Sequence, residues 1–182
     1  MAFNPYKKMI QKMMKAGKVF IQRDDTDHYY VSDSYALMKV PTILYRAYIQ
    51  TVSGYFIELE PGEKAQFENN VTQKGVGADL KKIVDLTSAE NELRETPFLV
   101  EIKSIHSKKK STMARLCRAN AHVTAIDEEY FAAALECAVG TPHQDGRISP
   151  VVWKDDDGDR LTLVLPMRLS NEYLDALKEL AA

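Results

Sequence analysis

The chain has 182 residues, of which 45% are hydrophobic and 27% charged, and its formal net charge at pH 7 is -2. This length and composition are typical of a folded soluble protein and exclude a disordered or low-complexity chain. The small negative charge also excludes bulk electrostatic attraction to nucleic acid, although a local basic patch is compatible with it.

Two features of the sequence bear on the compartment in which the chain works. Cys117 and Cys137 have neither the number nor the spacing of a disulfide framework or a metal site. No apolar run approaches the roughly 20 residues that span a bilayer, and the first residues lack the apolar core of a signal peptide. We therefore expect reduced thiols, no membrane partner and a cytoplasmic location.

Asn4 and Pro5 predict the start of a helix that runs to residue 16 and ends at Gly17. Its apolar residues recur at i, i+3 and i+4, and its other face is basic. The lysines that make this face a candidate for contact with DNA phosphates are Lys7, Lys8, Lys12 and Lys15. The alternative is an ordinary solvated face over a methionine-rich core stripe.

Several β-prone runs follow this helix. Residues 18–23, 29–32 and 35–40 are rich in β-branched and aromatic residues and predict a small antiparallel meander. Residues 42–52 are apolar around most of a predicted helix, so we expect that helix to be buried in the core or against another copy of the chain. Residues 55–59 predict one more short strand.

The stretch from residue 61 to residue 96 is polar, and within it only residues 78–86 predict a helix. We interpret it as an insertion or a long connection.

Residues 98–105, 112–118 and 122–126 predict three further strands. The loop between the first two contains a second group of candidates for DNA contact, Lys108, Lys109 and Lys110. A lysine-rich hairpin tip is also a common device that keeps an edge strand soluble, and this remains the alternative.

Asp127 predicts the N-cap of a helix that ends before Gly140. Its expected core stripe consists of Phe131, Ala134, Leu135 and Ala138. Unlike the first helix it has no lysine or arginine, and its acids are Asp127, Glu128, Glu129 and Glu136.

Residues 148–153 and 161–165 predict a hairpin whose turn contains four aspartates and Gly158. Asp155, Asp157 and Asp159 have the spacing of the first ligands of an EF-hand. Gly158 and Pro166 stand at the wrong positions for that loop, so we predict a solvated turn and no metal. Residues 170–180 then predict a last amphipathic helix.

Signatures of catalysis are absent from the sequence. The four histidines lie far apart, and there is no P-loop, no nucleophile elbow and no dinucleotide-binding glycine motif. We predict no catalytic residues and no cofactor, with a small enzyme whose site has no recognisable signature as the alternative.

The end of the sequence resembles a known family. Ser149, Pro150 and Val151, the acidic turn, and the run from Leu165 to Leu169 together resemble the C-terminal end of bacterial DNA polymerase III beta sliding clamps. The resemblance extends back to residues 127–131, and elsewhere only the order of predicted elements matches.

This resemblance implies an α+β, DNA-clamp-like fold with two helix-plus-antiparallel-meander units, an extra central helix and a C-terminal helix. We expect residues 1–182 to form a single clamp-like domain, with the insertion around residues 61–96 and a helical extension at residues 170–182. Inner helices of such a fold contact DNA phosphates without reading bases. The implied partners are duplex DNA, replication proteins and further copies of the chain. Because the second helix is acidic, a protein-interaction module without DNA binding is the alternative.

The resemblance also implies a hydrophobic cleft that takes short peptides from replication proteins. The residues that correspond to its wall are Leu165, Pro166, Met167, Arg168 and Leu169. The predicted last helix either fills this cleft or offers its leucine stripe to a partner. We favour the first, because an exposed stripe beside an apolar cleft would be a sticky patch.

Overall fold

The computed structural model describes residues 3–103, 111–119 and 122–180. The structure contains both helices and antiparallel strands, which confirms the α+β class. The helices are α1 (Lys7–Lys15), α2 (Thr42–Leu44), α3 (Leu80–Asp85), α4 (Glu128–Cys137) and α5 (Asn171–Leu180). The strands are β1 (Lys18–Arg23), β2 (His28–Ser32), β3 (Ala36–Pro41), β4 (Lys64–Glu68), β5 (Val71–Lys74), β6 (Arg94–Lys103), β7 (Ser111–Ala119), β8 (His122–Asp127), β9 (Val151–Lys154) and β10 (Leu161–Val164).

The strands form two antiparallel sheets. The larger has seven strands in the order β5-β4-β1-β2-β3-β10-β9, and the smaller has three in the order β6-β7-β8. β3 pairs with β10, with Leu37 opposite Leu163, so the first meander and the last hairpin share one sheet. The meander and the hairpin were both predicted from the sequence and are confirmed.

Local sequence explains where the two principal helices begin and end. The Asn4 side chain accepts a hydrogen bond from the backbone N–H of Tyr6, and Gly17 ends α1 with a φ of 91° that suits glycine. The Asp127 side chain accepts from the N–H groups of Glu129 and Tyr130 at the start of α4, as an N-cap should.

One main core lies between the sheets and helices. Side chains of α1, α4 and residues 45–56 pack on the face of the large sheet that carries Tyr29 and Trp153. Cys117 and Ile126, from the small sheet, belong to the same cluster. The opposite face of the large sheet, which carries Tyr30 and Leu163, packs on α3. Both faces of the large sheet are therefore covered at its centre.

The segment after β3 is helical but irregular. α2 continues into a π turn, Tyr45–Ile49, and a 3-10 turn, Gln50–Val52, where the sequence predicts one regular helix. The Tyr45 ring stacks on Tyr29 with centroids 3.7 Å apart, and its hydroxyl donates to the carbonyl of Ile57. Tyr45 and Ile49 are buried in the main core, but Ile43 is 73% exposed, so the segment is buried on one face and not all round as predicted.

Two elements differ from the sequence predictions. Residues 55–59 are not a strand, because distant side chains bind their backbone groups: the hydroxyl of Tyr29 bonds to both N–H and C=O of Leu59. Leu135, predicted to lie in the core stripe of α4, is 53% exposed, while Tyr130 and Ala133 are buried instead.

The polar stretch contains structure that the sequence did not predict. β4 and β5 form a hairpin that extends the large sheet beside β1. The helix predicted at residues 78–86 is present as α3, capped by Asp79. Whether this stretch is an insertion relative to other clamp-like chains remains a prediction.

Candidate functional site

The basic face of α1 lies against the acidic face of α4. Lys8 forms an ion pair with Glu136 near one end of the two helices. Lys12 lies 2.6 Å from the Glu129 carboxylate and 3.8 Å from that of Asp127. Because Lys8 and Lys12 have carboxylate partners on α4, the charge of these two of the four α1 lysines is neutralised within the chain.

Further contacts fix the side chains along this pair of helices. The ammonium group of Lys12 lies over the Tyr130 ring, 4.8 Å from its centroid, which favours a cation there. The hydrogen bond from Lys12 lowers the pKa of Glu129, so this carboxylate stays ionised at neutral pH. On the other side of α4, Arg115 donates two hydrogen bonds to Glu128, at 2.9 and 2.7 Å.

A surface groove of about 340 Å³ runs between α1 and α4. Its walls carry charges of both signs, and the residues that line it are Lys8, Gln11, Lys12, Lys15, Glu128, Glu129 and Ala132. A site for polyanions needs an excess of cations, and this groove presents three lysines beside two glutamates, an excess of only one.

The predicted DNA-contact lysines fall into three groups. Lys8 and Lys12 take part in the ion pairs described above, whereas Lys7 and Lys15 are exposed on α1. Lys108, Lys109 and Lys110 lie outside the described residues. The structure therefore brings the α1 lysines to one surface together with the acids of α4.

The residues predicted to wall a peptide cleft lie along the edge of the small sheet. The N–H of Met167 donates to the carbonyl of Ala125 on β8, and the N–H of Leu165 donates to the carbonyl of Tyr35. Pro166 is buried, while Leu165 and Arg168 are exposed. Met167 and Leu169 pack into an apolar cluster on the outer face of the small sheet.

The last helix covers that cluster. Leu177 of α5 is 5% exposed and packs with Ala114 and Leu116 of β7 and with Val123 and Ala125 of β8. Ser170 caps the helix by accepting a hydrogen bond from the N–H of Tyr173. The surface that includes Met167 and Leu169 is thus covered by α5, while the peptide cleft itself remains a prediction.

Sheet edges are a feature that the sequence did not bring out. The edge of β9 is paired with His143, and the edge of β8 is bonded by Met167. In contrast, β5 and β6 are terminal strands, and no other strand of the described residues pairs with their outer sides. Such open edges are ready to pair with another chain.

The two cysteines and the acidic turn are the remaining candidates for reactive or metal-binding groups. Burial raises the pKa of Cys117 and of Cys137 to about 12, so both thiols are protonated at neutral pH. Within the described ranges there is no group of three or more His, Cys, Asp or Glu residues that could hold a metal. The acidic turn is an ordinary turn in which Gly158 has a φ of 69° and its carbonyl accepts a hydrogen bond from Lys39.

Within residues 3–103, 111–119 and 122–180, no helix has both the length and the apolar character needed to cross a bilayer.

Comparison with known proteins gives similar solved structures but no match in sequence. The chain matches no protein-family model, and no curated protein matches it significantly in sequence. A structure assigned as a DNA polymerase III beta subunit from Eubacterium rectale ATCC 33656 is 12% identical, with 92% of this chain and 65% of that chain covered and a TM-score of 0.45. DNA polymerase III subunit beta from Borrelia burgdorferi, solved in complex with a natural product, is 10% identical, with 91% and 62% covered and a TM-score of 0.40. The chain therefore spans less than two thirds of the length of either.

Proposed function

We propose that this chain is a non-catalytic, clamp-like protein that acts by binding other proteins and further copies of itself. Its paired helices α1 and α4 do not bind duplex DNA in this proposal. The motif from Ser149 to Leu169 supports the clamp-like assignment. The observation that carries the choice of partner is the ion pairing of α1 with α4, through Lys8 with Glu136 and Lys12 with Glu129.

The energetics of DNA binding explain why this pairing matters. A duplex exposes one negative charge per about 1.7 Å of axis, and proteins bind it by neutralising phosphates with lysine or arginine. Lys12 is already neutralised by Glu129, and a phosphate that approached Lys12 would also approach that carboxylate. Protein surfaces, which carry both signs of charge, fit this face better than phosphate rows do.

Duplex DNA is the second candidate partner. Lys7 and Lys15 are exposed on α1, and Lys108, Lys109 and Lys110 add positive charge to the sequence. These cations would support weak contacts that do not require the ion pairs to open.

An electrophoretic shift with duplex DNA at two salt concentrations tests the choice of partner. We expect little binding at physiological salt and no difference between the native chain and the Lys8→Glu/Lys12→Glu variant. A shift that weakens steeply with salt and is lost in that variant would assign α1 to DNA instead. The Lys81→Glu/Lys82→Glu variant on α3 is the control for change of net charge alone.

Self-association is supported by the two open edges. An antiparallel pair of β5 from one copy with β6 from another can set Lys74 opposite Glu101. The pairing joins opposite charges across the contact between copies.

The faces of the two strands also match. Lys74 is the register partner of Ala65, whose side chain lies in the main core. Glu101 lies two register positions from Arg115, which contacts α4. The side chains of Lys74 and Glu101 therefore both project from the side of their sheets that faces the main core. Because β5 and β6 are different surfaces, the contact is heterologous and leads to a ring or a filament.

The mass of the chain in solution, measured by light scattering across concentrations, tests this self-association. A monomer at all concentrations would contradict it.

A further inference from the structure

Two arginines lie side by side on the face of the small sheet that is turned away from the main core. Arg118 of β7 is directly opposite Arg94 of β6. On β8, the register partner of Arg118 is Val123, which belongs to the apolar cluster on that outer face. Cys117 and Ala119, the neighbours of Arg118 along β7, belong to the main core instead. Because side chains alternate along a strand and opposite residues share a face, both arginines point outward.

Both side chains reach solvent with little compensation of their charge. The Arg94 side chain is 80% exposed, and its Nε lies 3.4 Å from the carboxylate of Glu92, whose side chain is 54% exposed. Arg118 is exposed, and no ion pair joins it to a carboxylate of the residues that the structure describes. In contrast, Arg115 on the opposite face of β7 donates two hydrogen bonds to Glu128. The outer pair keeps most of its charge, because an ion pair as exposed as that of Arg94 with Glu92 is weak.

The arrangement of Arg94 and Arg118 is unfavourable without an anion and favourable with one. Like charges directly opposite each other on neighbouring strands destabilise a sheet, and their Cβ atoms are only about 4.5–5.5 Å apart. Two guanidinium groups at this spacing can converge on one small anion. Each presents a planar fork of N–H donors that bonds two oxygens of a phosphate group at once. A phosphate monoester has three terminal oxygens and a charge of about −1.5 to −2 at neutral pH, which matches two cations.

We propose that Arg94 and Arg118 form a binding site for a single phosphate monoester, carried by a phosphorylated side chain of a partner protein. A nucleic acid fits this face less well, because its phosphates form a row with one charge each, whereas the face offers two arginines with Glu92 beside them. The partner class rests on the binding of other proteins proposed above. The site shares no residue with the α1–α4 groove or with the contact of Lys74 with Glu101, so its test is independent of theirs.

Thermal unfolding with and without O-phosphoserine tests the site. We expect O-phosphoserine to raise the Tm of the native chain, because a ligand that binds only the folded state stabilises it. The Arg118→Gln variant should show no such rise. Without phosphate it should be at least as stable as the native chain, since one of two like charges is removed. Lower stability of that variant without ligand, or an equal rise of Tm with ligand in variant and native chain, would overturn the site.

NMR titration of the arginine Nε–H signals shows which side chains take the ligand. The signals of Arg94 and Arg118 should shift together, and Arg94→Gln and Arg118→Gln should each weaken O-phosphoserine binding at least about tenfold. Glu92→Gln should strengthen it at least about twofold, because a competing carboxylate is removed. The control is Arg46→Gln, at an arginine with a 51% exposed side chain elsewhere on the surface, which should bind as the native chain does. Equal weakening by Arg46→Gln would show general ionic attraction and contradict the site.

A short peptide with one phosphoserine between glycines tests the partner class. It should bind the native chain, bind Arg118→Gln at least about tenfold more weakly, and show no binding when it is not phosphorylated. Duplex DNA at physiological salt should not displace it. Displacement by DNA, together with weaker DNA binding by Arg118→Gln than by Arg46→Gln, would assign these arginines to nucleic acid and overturn the proposal.

Discussion

The hydroxyl of Tyr130 donates a hydrogen bond to the carboxylate of Asp33, across 97 positions of the sequence. Both side chains are buried. The other oxygen of Asp33 accepts from the N–H groups of Tyr35 and Ala36, at 2.9 Å each. One carboxylate therefore closes the turn between β2 and β3 and joins that turn to α4.

We expect Tyr130→Phe to lower the free energy of unfolding by about 1.5–3 kcal/mol, because a buried carboxylate oxygen loses its partner. Asp33→Ala should cost more, since it also removes the two bonds that close the turn. Urea denaturation measures both. Tyr173→Phe, at an exposed tyrosine, is the control and should stay within about 0.5 kcal/mol of the native chain. Equal stability of Tyr130→Phe and the control would contradict a role for this bond.

The same bond illustrates what the sequence could and could not predict. Elements with strong local signals were predictable: Asp127 as a cap, Gly17 as a stop, and the alternation in β10. Partners more than 100 residues apart were not, such as Lys8 with Glu136. Nothing in the local pattern of a basic helix indicates whether its lysines face water, phosphates or an acidic helix of the same chain.

The polar hairpin shows a second limit of sequence reasoning. In β4 the buried residues Ala65 and Phe67 alternate with Lys64 and Gln66, but the exposed strand β5 has little apolar pattern to signal a strand. Residues 55–59 gave the opposite error, because their apolar and aromatic composition is that of a strand while their backbone bonds are made by side chains such as Tyr29. Tertiary contacts override propensity in both cases.

Removing the acids of α4 should strengthen binding to duplex DNA. In the Glu129→Gln/Glu136→Gln variant, Lys8 loses its charged partner and Lys12 keeps only Asp127, at 3.8 Å, so both become more available to phosphates. We expect tighter binding to duplex DNA, with a salt dependence steeper by about two units in log–log slope, since two more phosphates are neutralised. The control is Glu172→Gln/Glu179→Gln on α5, which makes the same change of charge away from α1. Equal gains in the two double variants would mean that net charge, and not the α1 face, controls the affinity.

Charge reversal at the open edges should change self-association in a reciprocal way. Lys74→Glu alone and Glu101→Lys alone each set like charges opposite one another between copies, and both should weaken association about two- to tenfold. The double variant restores an opposite pair in the reverse sense and should recover most of the loss. Analytical ultracentrifugation measures the effect. Losses that simply add in the double variant would place these residues on separate surfaces.

Acid should destabilise the fold partly through Asp24. Burial alone would raise the pKa of Asp24, but hydrogen bonds from the His28 N–H, from Thr26 and from the Tyr30 hydroxyl outweigh it, so the pKa lies below its ordinary value of 3.8. A group whose pKa is lower in the folded than in the unfolded chain stabilises the fold at pH values above its unfolded pKa. This stability is lost as the pH falls through its folded pKa. The free energy of unfolding should therefore fall below about pH 5, and more shallowly in Asp24→Asn. Asp25→Asn, at the exposed neighbour, makes the same change of net charge and is the control. An identical dependence of stability on acid in both variants would contradict the role of Asp24.

Gly140 allows the chain after α4 to pass directly over β9. Its φ is 78°, and a Cβ built there would lie 2.2 Å from the carbonyl oxygen of Lys154, far inside contact distance. Gly75 has a φ of 77° and no atom within 4 Å of the same position, so it is a control with matched backbone conformation. Gly75→Ala should cost only the strain of a positive φ, about 1–2 kcal/mol. Gly140→Ala should cost at least about 2 kcal/mol more, because the backbone of β9 must shift to relieve the overlap. Thermal unfolding of the two variants measures the difference. Equal losses would mean that the chain near Gly140 moves away from Lys154 at little cost.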